Sequence, residues 1–438
     1  MVSLKPEQYT VGWIAALPDE LTAALELLDE EHDTPTGWRQ PPKDANDYSF
    51  GRINKLNIIL ACLPLGGIGT SNAAVVATTM LNTFPQIRFG LMVGIGAGVP
   101  ELPDRDIRLG DVVVSKPGDR DGGVVQYDMG RAQGDGKFER IGTLNKPPMV
   151  LLNAASGLQI KQTRRKTKIA AMIRGIDQAI REEENYQYQG AENDQLFDNM
   201  GEQEIPRGLG QQDRSNSPRI FFGTIASGNA VIKNAKRRAE IVELAGKNTM
   251  CIEMEAAGLM DSFPCLIVRG ICDYADCHKS DGWQRYAALT AAATAKELLL
   301  GMNAGEVEGT KSASDAMGLK KPDPQPYSPP HPPPTSGIPG LNAGDIDKLR
   351  KRLELAESEI RDQKKLQDRV KANEDSIRDL QGKIAQLTNN EPGNVNNGNR
   401  DLQKRLKKTE TELRELRKRV KDLEEAEAYS SEDCYECH

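Results

Sequence analysis

Acidic residues cluster around one short apolar segment of the chain. Glu253 and Glu255 flank Met254, and Asp273 follows the apolar run Cys265–Val268. That run has the length and β-branched content of a buried parallel strand, so Asp273 is predicted near the strand's carboxyl end, where open α/β sheets bind ligands. A carboxyl group in a largely apolar setting can hold a proton and deliver it as a general acid. The pattern therefore predicts acid–base chemistry at this strand end.

A third acidic residue, Glu20, follows the segment 9–17, which has the composition of a first buried strand. Pro18, Asp19 and Glu20 also match the usual start of a helix, because proline fits the first turn and acids favour the helix N-terminus. Taken by itself, the sequence favours this helix-start role for Glu20. The small-residue stretch 256–260 likewise predicts a helix, packed closely on the sheet.

Two glycine-rich turns follow predicted strands. The first, Pro64–Ser71, precedes an Ala-rich helix and can present backbone N–H groups to an anion or to sugar hydroxyls, but it lacks the Lys-Ser/Thr pair of a P-loop. The second begins at Gly94, Ile95 and Gly96 after a strand over 89–93. Its spacing differs from the dinucleotide-binding fingerprint. We predict a loop there whose backbone approaches a bound ligand.

Strands alternate with helices or loops up to about residue 300, which predicts an α/β domain built on a mostly parallel sheet. A polar excursion over 187–216 is expected to be a lid or a disordered segment. Besides those already described, strands are predicted at 57–63, at 109–115, at 123–127 and from 219 into Ser227, and helices at 149–158, at 169–184, from 233 and at 283–300.

The composition limits the classes of partner. The net charge of the 438-residue chain is −7, which gives no electrostatic reason to expect nucleic acid or an anionic membrane. Long apolar runs and a signal-peptide layout are both missing from the sequence, so a cytoplasmic protein is expected. Seven cysteines, an odd number, favour reduced thiols over a disulfide framework. We expect neither a metal nor another cofactor.

The composition changes after about residue 300. Residues 303–345 are rich in proline, which predicts an extended, semi-rigid linker. Apolar residues then recur at alternating steps of three and four over 346–388 and 401–427, with a polar break at 389–400 and a polar tail at 428–438. This pattern predicts a coiled coil, because the apolar seam of a single solvated helix would lack a partner. We expect a homo-oligomer, held by the coiled coil and by the preceding domain.

Several blocks of residues 8–302 resemble the nucleoside phosphorylase superfamily, which includes purine and uridine phosphorylases and methylthioadenosine/S-adenosylhomocysteine nucleosidases. The resemblance implies an α/β fold with a mixed central sheet flanked by helices. Ile225–Asn229 and Gly270–Asp276 are most similar to a fungal branch that often forms the N-terminal effector domain of immune-type receptors. The matching blocks are Gly12–Glu20, Gly66–Gly69, Val93–Gly98, Gly110–Ser115, Ser227–Asn229, Glu253–Glu255 and Arg269–Asp273.

The resemblance also implies roles for individual residues. Breaking a purine–ribose bond builds negative charge on the base, and Asp273 would protonate or hydrogen-bond N7 of that base. Glu255 would hold the ribose hydroxyls, Met254 would pack against the sugar and Glu20 would activate a water, while Glu253 is read as a helix-surface acid. The purine would lie near Val231 and Ile232. Backbone atoms that follow Ser227 and Asn229 would contact the edge of the purine.

The nucleophile distinguishes hydrolysis from phosphorolysis. Binding a phosphate dianion requires arginines or equivalent donors, and the phosphorylases of this superfamily carry an arginine where this sequence has Met92. We therefore predict a purine nucleosidase that hydrolyses the N-glycosidic bond of adenosine or adenine nucleotides, with ATP among the candidates. The alternatives are a phosphate-dependent phosphorylase and a non-catalytic nucleotide-binding adaptor oligomerised by its coiled coil. Candidate donors for 5′-phosphates are Lys233, Arg237, His278, Lys279 and the basic cluster near Arg164.

Overall fold

The computed structural model describes residues 3–134, 137–182, 184–198, 201–206 and 218–318, together with 373, 404, 407–409 and 411–412. The chain divides into two units, Met1–Gln325 and Pro326–His438. The predicted coiled-coil segments, the polar break and the tail lie almost wholly outside the described residues, so they stay predictions.

The described residues of the first unit form twelve strands and ten α-helices. The strands are β1 (Val11–Ala15), β2 (Glu30–His32), β3 (Tyr48–Ile53), β4 (Leu56–Cys62), β5 (Phe89–Gly98), β6 (Val112–Ser115), β7 (Val124–Gln126), β8 (Gly130–Ala132), β9 (Phe138–Arg140), β10 (Ile220–Ser227), β11 (Thr249–Glu253) and β12 (Cys265–Asp273). The helices are α1 (Pro18–Leu25), α2 (Thr70–Thr83), α3 (Met149–Thr163), α4 (Ile169–Gly175), α5 (Gln178–Glu182), α6 (Ala235–Ala245), α7 (Ala256–Leu259), α8 (Gln284–Leu300), α9 (Ala304–Glu308) and α10 (Ala313–Ala316).

Ten of these strands form one mixed sheet, in the order β11-β10-β6-β12-β5-β1-β4-β3-β2, with β7 paired to β10. Strand β11 also pairs with β5, so β5, β12, β6, β10 and β11 close into a ring. The pairs β6–β12, β5–β11, β2–β3 and β3–β4 are antiparallel. The sheet is thus mixed, as the resemblance implied. Six of its ten strand pairs are parallel, which agrees with the mostly parallel sheet that the strand–helix alternation predicted.

The centre of the sheet consists of β5 and β12, which run parallel to each other. All nine residues of β12 are buried, which agrees with the apolar run that predicted this strand. Helix α8 packs directly on β12. The two backbones are so close that an added Cβ at Gly270 would lie 1.9 Å from the carbonyl oxygen of Ala287. The close approach of helix and strand fixes the end of β12, where Asp273 lies.

The predicted loop at Gly94, Ile95 and Gly96 is part of a strand. Strand β5 extends from Phe89 to Gly98 and pairs with β12 along most of that length and with β11 at its end. The loop prediction was wrong because ladder hydrogen bonds to neighbouring strands outweigh the low strand propensity of glycine.

Other local expectations differ from the structure in smaller ways. The helix predicted over 169–184 is divided into α4 and α5, and strands β2, β3, β8, β9 and β11 were not predicted. The first residues of the predicted linker form α9 and α10, whose Val307 and Ala313 are buried. Of the five described cysteines, all free, Cys277 is exposed. Within the described ranges, no helix combines the length and apolar character needed to cross a membrane.

Candidate active site

A cavity of about 360 Å³ lies at the ends of β11 and β12, beside β5 and the start of α1. Its wall combines apolar side chains with several carboxyl groups. Of the residues predicted for the site, those that line it are Glu20, Ile95, Gly96, Val231, Ile232, Met254, Glu255 and Asp273. The fold therefore brings together acids that are far apart in the sequence.

Glu20 lies in the first turn of α1, where it has two sets of contacts. Its Oε2 accepts hydrogen bonds from the N–H groups of Ala16 (2.6 Å) and Leu17 (3.0 Å), which caps the helix. Its Oε1 accepts one from the N–H of Ile95 at 2.8 Å. Burial raises the pKa of Glu20, although Arg269 and these N–H groups oppose the rise. The helix-start interpretation is correct but incomplete, because the same carboxyl lines the cavity.

Arg269 is buried among carboxyl groups. Its Nη2 donates to Oε2 of Glu253 and, at 3.2 Å, to Oε2 of Glu255, and its Nη1 donates to the carbonyl oxygen of Ile95 at 3.3 Å. Glu253 also accepts the N–H of Ala256 at 3.0 Å. The prediction that Glu253 is a helix-surface acid was wrong. Glu253 is the last residue of β11 and is buried. Its charge is tolerated there because it is a counter-ion for the buried guanidinium of Arg269.

One guanidinium faces three buried carboxyl groups, those of Glu20, Glu253 and Glu255. Burial raises the pKa of Glu255 to about 7 against the attraction of Arg269, and repulsion from the other two acids adds to the rise. Burial disfavours the charge of Arg269, but the three acids more than compensate and raise its pKa. Arg269 therefore stays charged, and Glu255 changes its charge near neutral pH.

The titration of Glu255 makes stability depend on pH. Between about pH 4.5 and pH 7 the folded chain holds a proton on Glu255 that the unfolded chain has released, so this group's contribution to the free energy of unfolding falls as pH rises through that window. Urea unfolding across this pH range should show a steeper decline for the wild type than for Glu255→Gln. Parallel declines in the two proteins would contradict the assignment.

Asp273 ends β12, and a sharp turn fixes its carboxyl at the cavity wall. Its Oδ1 accepts the N–H of Ala275 at 2.8 Å, and its Oδ2 lies 2.8 Å from Nζ of Lys279. Ala275 has a φ of 54°, a left-handed conformation that costs a non-glycine residue on the order of 1 kcal/mol. Arg238 supports the turn, since its Nη1 donates to the carbonyl oxygen of Tyr274 at 2.7 Å.

Ser227, Asn229 and Gly94 lie behind the cavity wall. Oγ of Ser227 accepts the N–H of Ala257 at 2.9 Å, and Oδ1 of Asn229 accepts the N–H of Thr70 at 3.0 Å. These bonds tie the end of β10 to α7 and α2, while residues 230–233 beyond it line the cavity. An added Cβ at Gly94 would lie 2.4 Å from Oε1 of Glu20, so glycine there lets the acid reach the strand.

Arg269 is the main feature that the sequence reasoning missed. It was noted only as part of a motif, although a charged residue within an otherwise apolar strand is itself a signal of a buried ion pair.

The candidate phosphate donors differ in their position relative to the cavity. Lys233 and Lys279 line the cavity, whereas Arg237 pairs with Glu240 and lies outside it. The link from Lys279 to Asp273 was not predicted.

Comparison with known proteins identifies the family. The sequence profile described as "Phosphorylase superfamily" matches residues 10–300, about two-thirds of the chain. The chain belongs to the phosphorylase superfamily. The cavity described above lies within the part of this superfamily domain that the profile covers.

Three named relatives of this phosphorylase-superfamily chain are an NLR-like protein and two nucleosidases. A nucleotide-binding leucine-rich repeat (NLR)-like protein of Hyaloscypha variabilis is 47% identical over 305 residues, which cover 68% of this chain and 30% of that protein. The ATP nucleosidase Cap17 of Escherichia coli is 26% identical, covering 64% of this chain and 48% of Cap17. The 5′-methylthioadenosine/S-adenosylhomocysteine nucleosidase of Mycobacterium bovis is 25% identical, covering 66% and 95% respectively. The chain thus spans less than half the length of the first two relatives.

Proposed function

We propose that this phosphorylase-superfamily domain is a nucleosidase that hydrolyses the N-glycosidic bond of a purine nucleoside or nucleotide. The observation that carries the proposal is that Glu20, Glu255 and Asp273 line one cavity. Two of the named relatives, Cap17 and the mycobacterial enzyme, are nucleosidases, which supports the same reaction class.

The proposed reaction divides its tasks among the three acids. Asp273 delivers a proton to the departing base as the bond to the sugar breaks, and Glu255 accepts hydrogen bonds from the ribose hydroxyls while Met254 packs on the sugar. Glu20 takes the proton of the attacking water. Its carboxyl is oriented by three backbone N–H groups, so it meets the water in one fixed geometry. Acid and base each contribute roughly 10²–10⁴-fold to such a reaction.

Water suits this cavity better than phosphate as the nucleophile. Met92, at the position where the phosphorylases carry an arginine, is fully buried in the core. Within the described part of the chain the cationic side chains on the cavity wall are Lys233 and Lys279, and the second already pairs with Asp273. A phosphate dianion needs a larger set of donors than one lysine.

Adenosine or an adenine nucleotide is the substrate we propose, with ATP as one candidate. The similarity to an ATP nucleosidase and to a methylthioadenosine nucleosidase supports an adenine base. Lys233 is exposed at the cavity, where it is available to a 5′-phosphate. An uncharged 5′ group would need an apolar surface there instead.

Product analysis tests the proposal. We expect the purified chain to release free adenine from adenosine or ATP in phosphate-free buffer, with the intact ribose or ribose phosphate as co-product. Chromatography of the reaction mixture measures both products. Inosine serves as the comparison substrate for the choice of base. Release that requires phosphate and yields ribose 1-phosphate would identify a phosphorylase, and tight binding without turnover would identify an adaptor.

A further inference from the structure

Both carboxyl oxygens of Asp273 act as hydrogen-bond acceptors, although the proposed function requires this residue to offer a proton. Oδ1 accepts the N–H of Ala275, and Oδ2 accepts the S–H of Cys272 at 3.2 Å and faces Nζ of Lys279 at 2.8 Å. An ammonium group has donors and no acceptor, so the proton between Asp273 and Lys279 belongs to the lysine. Of these two side chains, the lysine is therefore the one that holds the transferable proton.

Lys279 lies on a wall shared by two cavities. One is the candidate active site, and the other, of about 290 Å³, is lined mainly by residues of the segments 189–197 and 272–283. Asp273 and Cys272 also face both cavities. The side chain of Lys279 is 20% exposed, against 3% for that of Asp273. The lysine can therefore exchange protons with solvent more readily than the carboxyl can.

The surroundings of this pair keep the ammonium charged. Burial disfavours the charge of Lys279, but the attraction of the Asp273 carboxylate outweighs this effect and, with a smaller contribution from Asp281, raises the pKa of the lysine. Burial raises the pKa of the thiols of Cys272 and Cys251, so both stay neutral at physiological pH. The other titratable groups on the two cavity walls are Glu20, Glu253, Glu255, Tyr274, Asp276, His278, Asp281 and Lys233.

We propose that Lys279 is a positioning residue that supplies the proton which Asp273 passes to the departing base. This inference rests on the proposed function. As the bond between the sugar and the base breaks, its electron pair goes to the base. The Asp273 carboxylate takes a proton from Nζ of Lys279 and passes that proton to the base. The lysine is left as a neutral amine. It regains a proton from solvent through the second cavity, while the proton of the attacking water goes to Glu20 and then to solvent.

The alternative is that Lys279 only orients Asp273 by its charge and hydrogen bond. Arginine separates the two roles, because a guanidinium keeps the charge and the donors but does not release its proton in a protein. Proton supply requires a lysine at position 279, whereas orientation accepts either cation.

The test compares steady-state turnover of adenosine by the wild type, Lys279→Arg and Lys279→Met across pH. We expect both variants to lose about 10²-fold in kcat at neutral pH with little change in KM. We also expect the alkaline limb of kcat to move to lower pH in both, because the carboxyl must then take its proton from solvent. Retention of wild-type kcat and pH profile by Lys279→Arg would overturn the proposal, as would unchanged turnover by Lys279→Met.

Two controls keep the outcomes distinct. Lys236→Met removes an exposed lysine of α6, away from both cavities, and should leave kcat and the pH profile unchanged. Thermal unfolding of each variant shows whether it is folded, and Lys279→Arg preserves the ion pair if Lys279→Met is unstable. A wild type that cleaves no nucleoside refutes the proposed function itself, whereas an active wild type with a fully active Lys279→Arg refutes only the role of Lys279.

Discussion

Asp273→Asn is expected to lower kcat for base release by about 10²–10⁴-fold, the usual contribution of a positioned general acid. An amide has nearly the shape of the carboxyl and can still accept the N–H of Ala275, but it cannot pass a proton to the base. Lys279 loses its counter-ion, yet its side chain is partly exposed, so the fold should tolerate the change. Chromatographic rates measured with adenosine, together with circular dichroism, test both expectations.

A matched aspartate gives the control for this substitution. Asp261 is exposed and accepts the N–H of Asn145 at 2.8 Å, remote from the described cavity wall. Asp261→Asn should therefore leave turnover unchanged. If Asp273→Asn released adenine at the wild-type rate, another group would have to be the acid, and the proposed reaction would need a different proton donor.

Arg269→Met is expected to reduce the free energy of unfolding by about 3–5 kcal/mol at neutral pH, since it strips the counter-ion from buried carboxyl groups. Glu253 and Glu255 lose their direct partner, and Glu20 loses a nearby positive charge. The loss should shrink at acidic pH, because protonation removes the uncompensated charges. Urea unfolding near pH 7 and near pH 5 measures both effects.

An exposed arginine provides the comparison for the buried one. Arg52 pairs with Glu30 at 2.7 Å, and the side chains are 41% and 33% exposed, so solvent screens their attraction. Arg52→Met should change the free energy of unfolding by no more than about 1 kcal/mol. If both variants lost the same free energy of unfolding, Arg269 would not be the counter-ion that stabilises the carboxyl groups around it.

Local patterns in the sequence were sufficient for the elements that carry the site. The first part of strand β12 was visible as an apolar run because a strand buried on both faces favours apolar residues. The start of α1 was visible in Pro18-Asp19-Glu20, and the position of Asp273 at a strand end followed from the length of that run. The acids Glu20, Glu255 and Asp273 were selected by resemblance to a family rather than by spacing alone.

The surroundings of those acids were decided only by the tertiary structure. The N–H of Ile95 meets Glu20 from 75 positions away, and the N–H of Gly69 meets Glu255 from 186 positions away. Periodicity reports whether a residue is buried in its own element, but not which residue faces it from another. For that reason Glu253 was misread as a surface acid.

The same limit applies to charge and protonation. The sequence determined which residues carry acid and base groups and that a strand ends at Asp273. The packing of α1 and β11 beside β5 and β12 decided that one arginine faces three carboxyl groups, and the turn after β12 decided that Lys279 contacts Asp273. Burial and the distance between charges set the proton affinity of a group, and both are properties of the packed chain.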